Sequence, residues 1–277
     1  MKLKYYGTAA AEGFPAIFCK CDRCIEALRL GGKNIRTRSQ ACIDDKILID
    51  FNEDTYLHMV RYGLDLRYIN NVLITHKHED HLYKFDFGNL REGFSHPPQG
   101  QLEPMRVYSS EKSIAPLKEY VENIKINRIE TVAVKEFESF EAEGYKITAF
   151  PANHDYAACG SVFYSVEREG KNILYANDTG FFPDSVWVFF EREKTYYNIV
   201  SLDCTSMLND EAYNWHMGLK ACVMVKEKML SIGVCDEKTK FVLNHFSHNS
   251  TPLFDECERL GTENGFLVSF DTMEIEA

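Results

Sequence analysis

Val72-Leu73-Ile74-Thr75-His76-Lys77-His78-Glu79-Asp80-His81 is the stretch whose reading decides the fold. An apolar run of four ends abruptly in four side chains that can ligate a metal, all within six residues. On extended chain, residues two apart point the same way, so His76 and His78 face one side. Asp80 and His81 follow on a turn and can face a second ion nearby. The plain alternative is a solvated polar run after a strand, but packing gives no reason for this pattern behind a buried strand.

Further metal-capable residues recur behind later apolar runs. Asn153-His154 follows the strand Tyr145–Phe150, Asp178 lies in Tyr175-Ala176-Asn177-Asp178-Thr179, and His245 ends the strand Lys240–His245. Taken singly, each is an ordinary polar loop residue. Taken in order and at strand ends, they can gather around one site. Asp50 and Asp203 also end apolar runs, Ile47-Leu48-Ile49 and Asn198–Leu202. A strand at Lys2–Tyr6 opens the chain. A hairpin is expected with arms Ala41–Ile43 and Lys46–Phe51, turning at Asp44-Asp45. A helix is expected over Thr55–Tyr62, closed by Gly63. Residues 83–104, with Gly93, Pro97, Pro98 and Gly100, read as a long irregular loop, a lid or a disordered flap. In the second half, strands are expected at Ser161–Glu167, Asn172–Ala176 and Phe266–Phe270. Helices are expected at Asp184–Glu191, Leu219–Leu230 and near Pro252–Leu260. Two groups of strands, each followed by helices, predict two sheets packed face to face with helices outside.

The chain has 277 residues, 45% of them hydrophobic, enough for one large domain, and we expect one over 1–277. Acidic residues outnumber basic ones 42 to 31, a formal charge of −11, and no Lys/Arg block offsets it. That field disfavours long nucleic acid but says little about a small anion beside bound cations. No stretch approaches the roughly 20 apolar residues of a membrane span, and no secretory core follows the N-terminus, so a cytoplasmic protein is expected. Nine cysteines is an odd number, and Cys19, Cys21 and Cys24 crowd together. In a reducing compartment that favours a metal site over disulfides, and a tetrahedral zinc needs a fourth ligand. Cys42, Cys159, Cys204, Cys222, Cys235 and Cys257 sit among apolar neighbours and read as core. His58 reads as a surface residue, and His96 lies in the irregular loop.

The motif His-x-His-x-Asp-His, with His154, Asp178 and His245 in order, resembles the metallo-β-lactamase superfamily. The segment Gly7-Thr8-Ala9-Ala10-Ala11-Glu12-Gly13-Phe14-Pro15, followed by Cys19-x-Cys21-x2-Cys24, resembles the cyclic phosphodiesterases of phosphonate degradation. So does the end, Ser269-Phe270-Asp271-Thr272-Met273-Glu274-Ile275. A related branch acts in pyrroloquinoline quinone biosynthesis. The resemblance runs from residue 3 to the last strand and is weakest over 83–140. It implies an αββα sandwich of two mixed sheets flanked by helices. It further implies one ion on His76, His78 and His154, another on Asp80, His81 and His245, and Asp178 as a bridge. The ions would be manganese or zinc, with iron(II) compatible, and two such ions sharing a hydroxide could drive in-line attack on phosphorus. Asp50 would support the His loop, with Asp203 in a similar part. His248 would complete a structural zinc with the three cysteines. His216 would contact phosphate and protonate the leaving oxygen, which makes it, with Asp80 and Asp178, a catalytic candidate.

One departure stands out. Where the superfamily often has a glycine three residues after the motif's last histidine, this chain has Tyr83 and Lys84, then Phe85 and Phe87. A bulkier, aromatic and cationic loop beside the ions is therefore expected. The favoured activity is hydrolysis of a small phosphodiester, cyclic ones included. Its rivals are hydrolysis of an ester, lactone or thioester on the same centre, or a non-catalytic carrier like the quinone branch. The expected partner is a small phosphorylated molecule, and a homodimer stays open.

Overall fold

The computed structural model describes residues 1–96 and 104–277. Among these, fourteen strands form two seven-stranded sheets. The first holds β1 (Lys2–Gly7), β2 (Gln40–Ile43), β3 (Ile47–Ile49), β4 (Asn71–Leu73), β5 (Met105–Ser109) and β6 (Ile129–Ala133), with β14 (Glu274–Glu276) at its edge. The second holds β7 (Ser139–Ala142), β8 (Tyr145–Pro151), β9 (Val162–Arg168), β10 (Lys171–Ala176), β11 (Ile199–Asp203), β12 (Lys240–Asn244) and β13 (Leu267–Val268). The orders are β14-β1-β2-β3-β4-β5-β6 and β13-β12-β11-β10-β9-β8-β7. Both sheets share one plan: three antiparallel pairings, then three parallel ones. Seven helices accompany them: α1 (Asp22–Leu30), α2 (Thr55–Tyr62), α3 (Glu111–Ile124), α4 (Tyr156–Cys159), α5 (Asp184–Glu193), α6 (Leu219–Ser231) and α7 (Phe254–Glu263).

The alternating apolar residues of the strands explain the layers. Leu3, Ile43, Leu73, Ile147, Tyr164, Ile173 and Val242 form a core between the sheets. A second core packs Trp187, Phe190, Val225, Met229 and Phe254 against the outer face of the second sheet. A third packs Leu117 and Val121 of α3 behind the first sheet. Each fully buried Leu, Ile or Phe contributes roughly 1.5–3 kcal/mol. The fold is the expected αββα metallo-β-lactamase sandwich.

The hairpin turns where expected: Asp44 and Asp45 both take positive φ, 51° and 54°, and Lys46 N–H donates to the Ile43 carbonyl (2.9 Å), within a three-residue connection between the paired Ile43 and Ile47. Helix α2 ends at Gly63, whose φ of 74° gives the left-handed cap. Two expectations need correction. Residues 83–96 are not wholly irregular, because Lys84–Leu90 forms a 3-10 helix; Pro97, Pro98 and Gly100 lie outside the described residues. Phe87 packs against Phe51 with ring centroids 4.3 Å apart, and Phe85 lies edge-on to Tyr120 of α3. The aromatic run thus turns into the core and onto α3. His58 is not a surface residue either. It is fully buried, with Nδ1 2.6 Å from Gln40 Oε1 and Nε2 2.7 Å from Thr37 Oγ1. Burial pulls its pKa down to about 4, so it is neutral at pH 7.

Candidate metal centre

Six of the chemistry-bearing residues sit where a strand runs out. Asp50 follows β3, His76 follows β4, His154 follows β8, Asp178 follows β10, Asp203 ends β11 and His245 follows β12. Parallel strands deliver their C-terminal ends to one rim, so residues far apart in sequence converge. A main-chain bond from Val162 N–H to Thr75 carbonyl (3.0 Å) ties the sheets together directly beneath His76. Asp50, Asp178 and His245 all have positive φ (65°, 48° and 63°), a costly backbone that persists only where the surroundings fix it.

Two groups of ligand atoms form. In the first, His78 Nδ1 lies 2.8 Å from His76 Nε2 and 3.4 Å from His154 Nε2. In the second, His81 Nε2 lies 3.1 Å from Asp80 Oδ2 and 3.0 Å from Asp178 Oδ2, and His245 Nε2 lies 3.1 Å from the same Asp178 oxygen. His76, His81 and Asp178 also come together, which links the groups.

A further layer of partners sets which nitrogen faces inward. His81 Nδ1 donates to Asp50 Oδ2 (2.7 Å), His245 Nδ1 to Thr205 Oγ1 (2.7 Å) and His154 Nδ1 to the Trp215 carbonyl (3.1 Å). Thr75 Oγ1 donates to Asp50 Oδ1 (2.9 Å), so it accepts from His76 Nδ1 (3.1 Å). Each of these four rings therefore presents the lone pair of Nε2 to the centre. Such outer partners orient metal ligands. Thr75, Thr205 and Trp215 are supports that the sequence did not single out, since a threonine beside a ligand carries no distinctive spacing.

The donor set fits divalent ions. His81 Nε2, Asp178 Oδ2 and His245 Nε2 are all buried, and none makes a hydrogen bond of good geometry. Three acceptor atoms in contact call for a cation among them. The charges agree. Burial alone would lower the His81 pKa, yet Asp178, Asp80 and Asp50 hold it well above its ordinary value. Burial alone would raise the Asp178 pKa, yet His245 and His81 pull it far down. The site draws positive charge.

His216 stands beside both groups. Its Nδ1 donates to Asp203 Oδ2 (2.8 Å), and its ring centroid is 4.8 Å from that of His154 and 5.7 Å from that of His245. Burial opposes its charge, but Asp203 lifts its pKa to about 9, higher than the near-neutral value expected. A cleft of about 470 Å³ opens alongside, lined by Ala11, Arg38, Glu53, Lys77, His78, Glu79 and Asp80. Tyr83, Lys84, Phe85 and Phe87 are not among its lining residues.

Cys19, Cys21, Cys24 and His248 also come together. The three sulfurs lie 3.5, 3.7 and 3.4 Å from His248 Nδ1. In a tetrahedral zinc site, Zn–S of about 2.3 Å and Zn–N of about 2.05 Å put sulfur and nitrogen about 3.6 Å apart. The contact with His248 lowers the Cys21 thiol to about 6. The remaining six cysteines are buried, as expected of core residues.

Residues 46–246 match the family model described as the β-lactamase superfamily domain. The curated relatives include ribonuclease Z of Methanococcus maripaludis, 24% identical over 192 residues, covering 65% of this chain and 54% of that protein. The chain thus spans about half the length of the curated relatives it matches. Among solved structures, zinc-bound PqqB from Methylobacterium extorquens superposes with a TM-score of 0.76 at 18% identity, covering all of both chains. A diphosphatase of the PhnP family superposes with a TM-score of 0.73 at 20% identity, covering 99% of this chain and 96% of that one. These likenesses concern the fold. The family match covers well over half of the sequence, so the chain belongs to the β-lactamase superfamily. Among the described residues, no helix is long and apolar enough to cross a membrane.

Proposed function

We propose that this superfamily member hydrolyses a small phosphodiester, cyclic ones included. His76, His78 and His154 would hold one divalent ion, Asp80, His81 and His245 a second, and Asp178 would reach both. Manganese, zinc and iron(II) all suit these donors. When bound, such a pair supplies charge stabilisation for a developing oxyanion and lowers the pKa of bound water. Cys19, Cys21, Cys24 and His248 would hold a structural zinc.

The observation that carries the phosphodiester reading is His216, which clusters with Asp178, Asp203 and His245 at the centre and which the two proposed ligand sets do not use. Asp203 occupies its Nδ1 and fixes the ring. The proton it can deliver is therefore the one on Nε2. Asp203 favours the charged imidazole, the form in which the ring can act as an acid. An alkoxide leaving group with a high pKa needs that proton, whereas a nitrophenolate leaves readily without it. General acids contribute roughly 10²–10⁴-fold.

The test compares kcat/KM of wild type and His216→Ala on an alkyl or cyclic diester and on an activated aryl diester. The variant should keep its metal and lose more rate on the alkyl diester. Equal losses would remove the acid role. Full activity on both would return the reading to lactone, ester or thioester hydrolysis. The match to ribonuclease Z makes RNA diesters a useful further substrate; the charge of −11 argues for small molecules over long RNA.

A further inference from the structure

His78 differs from the other four imidazoles of the centre. It turns Nδ1 inward and leaves Nε2 on the outer side, towards α4 and its flanking residues. There it meets Cys159 Sγ at 3.5 Å and Asp155 Oδ2 at 3.5 Å, and Cys159 Sγ lies 3.3 Å from the same Asp155 oxygen. Nitrogen, sulfur and oxygen thus form a nearly equilateral triangle. Cys159 Sγ makes sulfur hydrogen bonds of ordinary length with His78 and Asp155, whereas the 3.5 Å between His78 and Asp155 is too long for a good N–H···O bond. Around a tetrahedral zinc, with bonds of about 2.0–2.3 Å, the same three atom types sit about 3.4–3.6 Å apart. The spacing matches within about 0.3 Å. The same comparison describes the cysteine cluster at His248.

We infer that His78 Nε2, Cys159 Sγ and Asp155 Oδ2 form an additional, exchangeable site for zinc or a similarly thiophilic divalent ion. Three protein ligands leave the fourth position open to water, so the site is weaker than the four-ligand cysteine cluster. A thiolate donor selects zinc or cadmium over magnesium or calcium. Cys159 is buried, while the His78 and Asp155 side chains are 40% and 25% exposed, so the ion enters past those two. The pocket is anchored from behind: Ser113 Oγ donates to the Cys159 carbonyl at 2.7 Å, and Lys112 Nζ to the Ala157 carbonyl at 2.9 Å. Binding takes the proton from the Cys159 thiol and the proton from His78 Nε2, and both pass to solvent. His78 would then serve both sites, with Nδ1 towards the proposed catalytic centre and Nε2 towards the added one.

The site shares His78 with the proposed function, but its test does not depend on which reaction is catalysed. Intact protein, with the ions it carries, is dialysed against excess Zn²⁺, in wild type, Cys159→Ala and Asp155→Asn. Wild type should bind one more ion than Cys159→Ala, and Asp155→Asn should bind that ion at least tenfold more weakly. Cys159→Ser serves if the alanine variant does not fold. Added Cd²⁺ should give wild type a larger near-ultraviolet thiolate-to-metal absorption than the Cys159 variant, whose absorption comes from the Cys19, Cys21 and Cys24 cluster alone. Equal ion counts and superimposable cadmium spectra would overturn the inference. A failure of the catalytic-ion reading lowers the counts of wild type and variant alike and leaves their difference of one intact.

Discussion

The two ligand clusters are held in opposite ways. Each imidazole facing the His/Asp centre through Nε2 has its outer nitrogen bonded to a threonine, an aspartate or a carbonyl, and the ligands rise from strand ends in two sheets. The cysteine cluster draws Cys19 and Cys21 from a loop and Cys24 from the first turn of α1, with Cys21 exposed. Its side-chain contacts run mostly among its own members. The first is shaped by the fold before any ion arrives. Under the proposed function, the cysteine cluster's ion would contribute folding free energy and the centre's ions chemistry. The segment Phe246-Ser247-His248 joins them, pinned by Phe246 N–H to the Thr8 carbonyl at 2.9 Å.

The largest expected effect is on activity. Asp178→Ala should reduce kcat by about a thousandfold, because charge stabilisation worth several kcal/mol is lost, yet leave the melting temperature near that of wild type. A protein that melts far lower would mean the centre carries folding as well, and the contrast would collapse. Next comes stability. Cys21→Ser should cost a few kcal/mol, large for one substitution, and lose one zinc while the remaining folded molecules keep their catalytic ions. Unchanged melting and zinc content would sink the structural assignment. A smaller effect is expected from the supporting layer. Asp50→Asn should weaken metal affinity at the centre by roughly 10–100-fold without touching a ligand, measured by competition with a chelator. Unaltered affinity would mean that His81 needs no orienting partner. The smallest difference is the substrate-dependent loss in His216→Ala.

How much was legible follows the same divide. The His76–His81 run, His154, Asp178 and His245 could be read because ligand chemistry at the ends of apolar strands is rare in ordinary packing. The hairpin and the cap of α2 were legible from local turn chemistry at Asp44-Asp45 and Gly63. The region from β5 to β7 was not. Helix α3 carries Pro116 inside it, which disguises a helix in sequence. His58 misled because α2 is inverted: Tyr56, Leu57, Met59 and Val60 are exposed, while Thr55 and His58 face inward onto Gln40 and its neighbours. A polar pair buried by hydrogen bonds leaves no apolar periodicity to find. Thr75 and Thr205 escaped for a similar reason, since only the folded geometry shows that their hydroxyls meet ligand imidazoles.

We propose that one chain carries two tight ions in the His/Asp centre and one in the cysteine cluster. The most direct test is to remove metal with a chelator, then return Zn²⁺ or Mn²⁺ while following bound metal, activity and melting temperature together. Wild type should hold three tight ions. Activity should return with the two ions that Asp178→Ala binds poorly, and most of the thermal stability with the one that Cys21→Ser lacks. Protein that takes up no metal under these conditions, or regains stability and activity with the same single ion, would contradict it.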